Sequence, residues 1–100
     1  MPFSVVADST TSTVRLIGEL DSHTACLLRR ALQAQVDQQD VDLCIDAGDL
    51  TFIDAAGFDV LREARQCLHE RGGRLAVVRY DPLFAQVARI CDLHDILAGS

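Results

Sequence analysis

Two short apolar runs, Thr13-Val14-Arg15-Leu16-Ile17 and Val41-Asp42-Leu43-Cys44-Ile45-Asp46, flank a stretch with helical periodicity. This spacing restricts the fold more than any other feature of the chain. In the intervening stretch Ala25, Leu28, Leu32 and Val36 recur on one face, with Leu27, Ala31 and Ala34 beside them, while Arg29, Arg30, Gln33 and Asp37 point elsewhere. A strand, a helical crossover and a second strand leave one economical solution, in which the two strands are parallel neighbours in one sheet. Upstream, Phe3-Ser4-Val5-Val6-Ala7-Asp8 alternates loosely, and only the polar cluster Ser9-Thr10-Thr11-Ser12 separates it from the next run. So short a connection predicts an antiparallel hairpin.

The rest of the chain repeats the strand and helix alternation. Gly18-Glu19-Leu20-Asp21 is expected to break the second strand, with Asp21 or Ser22 capping the first helix. That helix fades near Asp37-Gln38-Gln39-Asp40, and Ala47-Gly48-Asp49 reads as a loop after the third strand. A second helix after Asp54 carries Gly57, Leu61, Ala64 and Leu68 on one face, with Val60 and Cys67 adjoining. Gly72-Gly73 ends it, one glycine supplying the left-handed residue. A short strand, Arg74 to Arg79, follows. Asp81-Pro82 then starts a third helix by rule, with Leu83, Val87 and Ile90 as the expected buried face. Asp92 to His94 turns the chain, and Ile96-Leu97 reads as a last short strand. The predicted fold class is α/β: one domain over residues 1–100, with a mixed sheet that begins as an antiparallel hairpin and continues as βαβ units. About three helices lie mainly on one face, because a chain of 100 residues cannot cover two.

Charge and composition exclude several functions. The formal net charge is −6, and all nine bases are arginine. Without a basic stripe, direct nucleic-acid binding is disfavoured. Without any lysine, Schiff-base chemistry and a phosphate-loop lysine are ruled out. Cys26, Cys44, Cys67 and Cys91 lie in or beside apolar segments, and no Cys or His pair has ligand spacing. They are expected to be buried free thiols, with no metal and no cofactor. No apolar run is long enough for membrane insertion and no signal-peptide pattern opens the chain, so a cytoplasmic location is expected. His23, His69 and His94 are scattered with no matching nucleophile, which argues against an enzyme.

The candidate site is Asp49-Leu50-Thr51-Phe52-Ile53-Asp54-Ala55-Ala56-Gly57-Phe58, where a strand passes into a helix. A carboxylate at the turn precedes three residues with almost no side chain, which lets another backbone approach closely. If the second and third strands are parallel neighbours, the turns after them share one edge. Asp21 and Asp54 then cap adjacent helix starts and present their charge on one surface. Binding of phosphate at this helix start is opposed by Asp54, and no phosphate-loop pattern is present.

Gly18-Glu19-Leu20-Asp21, followed by Thr24-Ala25, resembles a signature of the STAS domain family. The segment Asp49 to Phe58, with Leu61, resembles that family's second signature, and Gly72-Gly73 and Pro82 fall where the family has them. The resemblance covers essentially the whole chain. It implies an anti-sigma factor antagonist, which binds an anti-sigma factor (a serine kinase with the histidine-kinase-like ATPase fold) and so frees a sigma factor for transcription. In that family the kinase phosphorylates the serine after the aspartate at the start of the second helix, and the added charge ends the contact. Here that position is Ala55, followed by Ala56, so no hydroxyl stands at the usual acceptor position. The resemblance implies a partner surface made of Asp21, Thr24, Asp54, Ala55, Ala56, Gly57, Phe58 and Leu61. A homodimer is compatible with the sequence. The alternative is a non-catalytic STAS subunit of another complex, such as a phospholipid ABC transport system. Members of that group usually keep a threonine after the aspartate, and Ala55 departs from this.

Overall fold

A computed structural model of the chain describes residues 3–8, 10–37 and 42–98. Strands β1 (Ser4–Asp8), β2 (Thr13–Leu20), β3 (Asp42–Ile53) and β4 (Arg74–Val78) form a sheet in the order β1-β2-β3-β4. The first pair is antiparallel and the other two are parallel. Helices α1 (Ala25–Asp37) and α2 (Ala55–Glu70) are the two crossovers, and α3 (Pro82–Ile90) follows β4. The mixed sheet and three helices expected from the spacing are therefore present. Ser9 of the expected hairpin turn, Gln38 to Asp40 at the fading end of α1 and Val41 at the expected strand start lie outside the described residues.

The strands alternate as a half-covered sheet requires. Val14, Leu16 and Leu20 of β2, Leu43, Ile45 and Ala47 of β3, and Leu75 and Val77 of β4 are buried on one face. Their neighbours Arg15, Ile17, Cys44, Asp46, Ala76 and Val78 are half-buried or exposed on the other. The buried face meets Leu28 and Leu32 of α1, Phe58, Leu61 and Leu68 of α2, and Phe84 and Ala88 of α3 in one core.

Two expected breaks are continuous strand instead. Gly18, Glu19 and Leu20 pair with Leu50, Phe52 and Ile53, so β2 runs through the Gly-Glu-Leu segment and β3 runs through Ala47-Gly48-Asp49. The irregularity survives as register shifts between Arg15 and Ile17 and between Gly18 and Glu19. Gly18 has φ +94°, a conformation that glycine adopts without penalty. Gly48 lies beneath the end of a flexible, exposed side chain. The Arg79 guanidinium lies 2.8 Å from where a Cβ would stand, and Arg79 Nη1 donates to Asp46 Oδ2 at 3.2 Å. Arg15 pairs with Asp49 across β2 and β3, its Nε donating to Oδ2 at 2.8 Å. Asp46 and Asp49, in the middle of β3, thus have structural partners.

The helix ends follow the sequence closely. Asp81 Oδ1 accepts from Phe84 N at 2.8 Å with Pro82 in the first turn. At the end of α2, Gly72 has φ +80°, and Gly73 N donates to Leu68 O at 2.8 Å, a Schellman closure. The phase of α3 differs from expectation. Phe84, Ala85 and Ala88 are buried, whereas Leu83 and Ile90 are exposed. The helix is apolar on more than one side, and the Phe84 ring, 5.0 Å from that of Phe58, settles which side faces inward. At the C-terminus a 3-10 turn, His94–Ile96, replaces the last strand, leaving one parallel bridge between Val77 and Leu97. All four cysteines are free, but Cys26 and Cys67 are exposed, contrary to the expected burial.

Candidate functional site at the start of the second helix

The site begins with a backbone hydrogen bond. Asp54 N donates to Leu20 O at 3.1 Å, which joins the end of β3 to the end of β2 and puts Asp21 and Asp54 at the same sheet edge. Both then cap. Asp54 Oδ1 accepts from Ala56 N at 3.0 Å and from Gly57 N at 3.4 Å, satisfying two of the free amides of α2. A cap of this kind contributes about 1 kcal/mol. It also occupies the donors that would otherwise hold an anion.

Asp21 closes a reciprocal turn before α1. Its Oδ1 accepts from His23 N at 2.9 Å and Thr24 N at 3.1 Å, while Thr24 Oγ1 accepts from Asp21 N at 2.9 Å. This is the two-way arrangement of a capping box, with threonine in place of the usual glutamate. The His23 amide, aided by the backbone and hydroxyl of Thr24, holds the Asp21 carboxyl below the usual carboxylate range, against a smaller opposing effect of desolvation. Asp21 stays ionised at neutral pH, and Thr24 is committed to the turn.

The small residues after Asp54 divide into two groups. Ala55 is exposed and Ala56 half-buried. Gly57 is buried, and a Cβ there would stand 2.7 Å from Ile53 Cγ1 and 2.8 Å from Leu20 Cδ2. Its missing side chain therefore lets α2 settle onto the ends of β2 and β3. Phe58 is 1% exposed and Leu61 is fully buried, so neither offers surface to a partner. Of the eight residues expected at a partner surface, Asp21, Thr24, Asp54, Ala55 and Ala56 are exposed or half-buried, and Gly57, Phe58 and Leu61 are buried beneath them.

Gly57→Ala measures this support. Alanine gains about 1 kcal/mol of helix propensity, but overpacking a filled site costs about 1–3 kcal/mol. The expected outcome is a net loss of up to about 2 kcal/mol in urea unfolding, and a gain would show that Leu20 and Ile53 yield freely.

Thr51 and Phe52 of the candidate stretch, both exposed just before the turn, were not among the eight residues expected at the partner surface. Phe52 pairs in register with Glu19, and an aromatic residue on an outward-facing strand position was the available signal. Among the described residues, no group of three or more His, Cys, Asp or Glu side chains is placed to hold a metal ion. No helix among them is long and apolar enough to cross a membrane.

Comparison with known proteins agrees with this geometry. A family profile described as Mlab, STAS domain matches residues 3–98. The anti-sigma F factor antagonist of Paenibacillus polymyxa is 28% identical over 81 residues, covering 80% of this chain and 67% of that protein. The crystal structure of an anti-sigma factor antagonist from Mycobacterium paratuberculosis superposes with TM-score 0.85 at 22% identity, over 99% of this chain and 87% of that one. The phosphorylated form of the Bacillus cell fate determinant SpoIIAA gives TM-score 0.73 at 21% identity, over 96% and 88% of the two chains. These structures share the sheet order and crossovers described above as a fold. With the profile spanning the sheet, all three helices and the capped start of α2, the chain belongs to the STAS domain family.

Proposed function

We propose that this chain is a non-catalytic, cytoplasmic antagonist of an anti-sigma factor, acting as one domain without a cofactor and regulating sigma-factor-dependent transcription by protein contact. The observation that carries this is the start of α2. A carboxylate caps the helix, and the exposed residue after it has only a methyl group. The relative named above is an anti-sigma F factor antagonist, and one of the similar folds is known in a phosphorylated form. The partner in this reading is a serine kinase with the histidine-kinase-like ATPase fold. Ala55 stands where its acceptor serine would be, so the complex persists when ATP is present.

The test compares the wild-type chain with Ala55→Ser. The tagged chain is used to recover its anti-sigma factor from the native cell, and that factor is purified and incubated with each chain and ATP. The wild-type chain is expected to bind and to remain unmodified. The serine variant is expected to gain one phosphate and leave the complex. Phosphate on the wild-type chain would refute the loss of control at residue 55, and failure to recover an anti-sigma factor would refute the antagonist reading. Recovery of a transporter ATPase instead would favour the scaffold alternative.

A further inference from the structure

Among the described residues five large apolar side chains are exposed, and two of them, Phe52 and Leu83, line one groove, with a third, Ile90, on the same helix as Leu83. Leu83 and Ile90 stand 66% and 76% exposed on α3, seven residues apart and therefore on one side of the helix, with the half-buried Val87 between them. Phe52 is 51% exposed at the end of β3. A groove of about 130 Å³ runs between the two elements, walled by Leu50, Phe52, Leu83 and Val87 and floored by Ala47 and Phe84. A cavity of about 150 Å³ admits one benzene ring, so this groove has room for one apolar side chain. Exposed apolar residues gathered in this way mark an interaction surface, whereas scattered ones do not.

The charges on the groove are acidic. Asp81 lines it and is exposed, with Oδ1 accepting from Phe84 N. Asp54 directly follows Ile53 in its wall. The whole chain carries −6 and no lysine. A second copy seated here by two-fold symmetry would set acid against acid. A partner with an apolar tip flanked by arginine or lysine meets both features.

We infer that the groove between α3 and the end of β3 receives an apolar side chain of the anti-sigma factor, held between basic residues of that partner. This rests on the antagonist reading above and extends its contact from Ala55 across Asp54 to Leu83 and Ile90. The groove supplies the anchor, and the start of α2 supplies the close approach.

The probe is the anti-sigma factor recovered with the wild-type chain, expressed and purified by itself, and titrated calorimetrically with each variant. Leu83→Ser is expected to weaken binding at least about tenfold with an unchanged melting temperature, because the removed side chain lies largely in water in the free chain. Leu27→Ser, on the outer side of α1, is expected to bind as wild type. Asp81→Asn keeps the cap, since asparagine caps as well as aspartate. It is expected to bind about threefold more weakly at low salt, with the difference shrinking as salt screens the charge. If Leu83→Ser and Asp81→Asn both bind like wild type while Ala55→Asp does not, the groove is refuted and the antagonist reading stands. If no variant and no wild-type chain binds an anti-sigma factor, both fall together. Self-association of the wild-type chain in sedimentation, abolished by Leu83→Ser, would assign the groove to a second copy and overturn the inference.

Discussion

Phe58→Ala is expected to remove about 3–5 kcal/mol of stability, the usual cost of emptying a buried phenylalanine site. The ring is 1% exposed, lies beneath the start of α2 and packs at 5.0 Å from Phe84 of α3. Removing it leaves a cavity between two helices and ends an aromatic pair that contributes about 0.5–1.5 kcal/mol beyond area burial. Since a small domain is stable by only about 5–15 kcal/mol, the variant should unfold at a much lower urea concentration, with the slope of the transition unchanged. Phe58→Leu, which keeps most of the volume, should cost less than half as much. A partner-contact residue would behave in the opposite way, losing affinity while the urea midpoint stayed in place.

Ala55→Asp is the complementary case, with its large effect on binding and almost none on folding. Ala55 is exposed in the first turn of α2, where a carboxylate interacts favourably with the helix dipole by about 0.3–1 kcal/mol. The melting temperature should therefore hold or rise slightly. In the proposed complex the same carboxylate would sit beside Asp54 at the contact, where it would be desolvated without a partner arranged for it. Affinity for the anti-sigma factor should fall at least about tenfold, or about 1.4 kcal/mol. Calorimetric titration alongside a thermal melt separates the two effects. Unchanged affinity would mean that residue 55 lies outside the contact.

Much of this was legible in the chain because the signals were local. The Asp81-Pro82 cap, the Gly72-Gly73 stop and the crossover between β2 and β3 depend on a few neighbouring residues, and each formed as its chemistry requires. The errors arose where a distant residue decides. Ala47-Gly48-Asp49 has the composition of a loop, yet its pairing with β2 holds it as strand. Helix α3 is apolar at residues 83, 84, 85, 87, 88 and 90, so periodicity alone could not choose its inner face before the position of Phe58 was known. The same limit applies to the site. Gly57 and Phe58 belong to a recognisable segment, but only packing reveals that they face Leu20, Ile53 and Phe84. Asp21 and Thr24 are the converse case. Their spacing is that of a capping box, and the reciprocal bonds between them could have been anticipated from the sequence.

The bond from Asp54 N to Leu20 O has a consequence for the energetics of association. It fixes the first turn of α2 to the sheet before any partner arrives, and Gly57 lets the helix sit flush against that attachment. Docking elsewhere often demands that a loop surrender its conformational entropy at the moment of contact, which weakens the complex and slows its formation. Here the ordering cost was met when the chain folded. For the contact proposed above, this preorganisation leaves the free energy of association available for affinity.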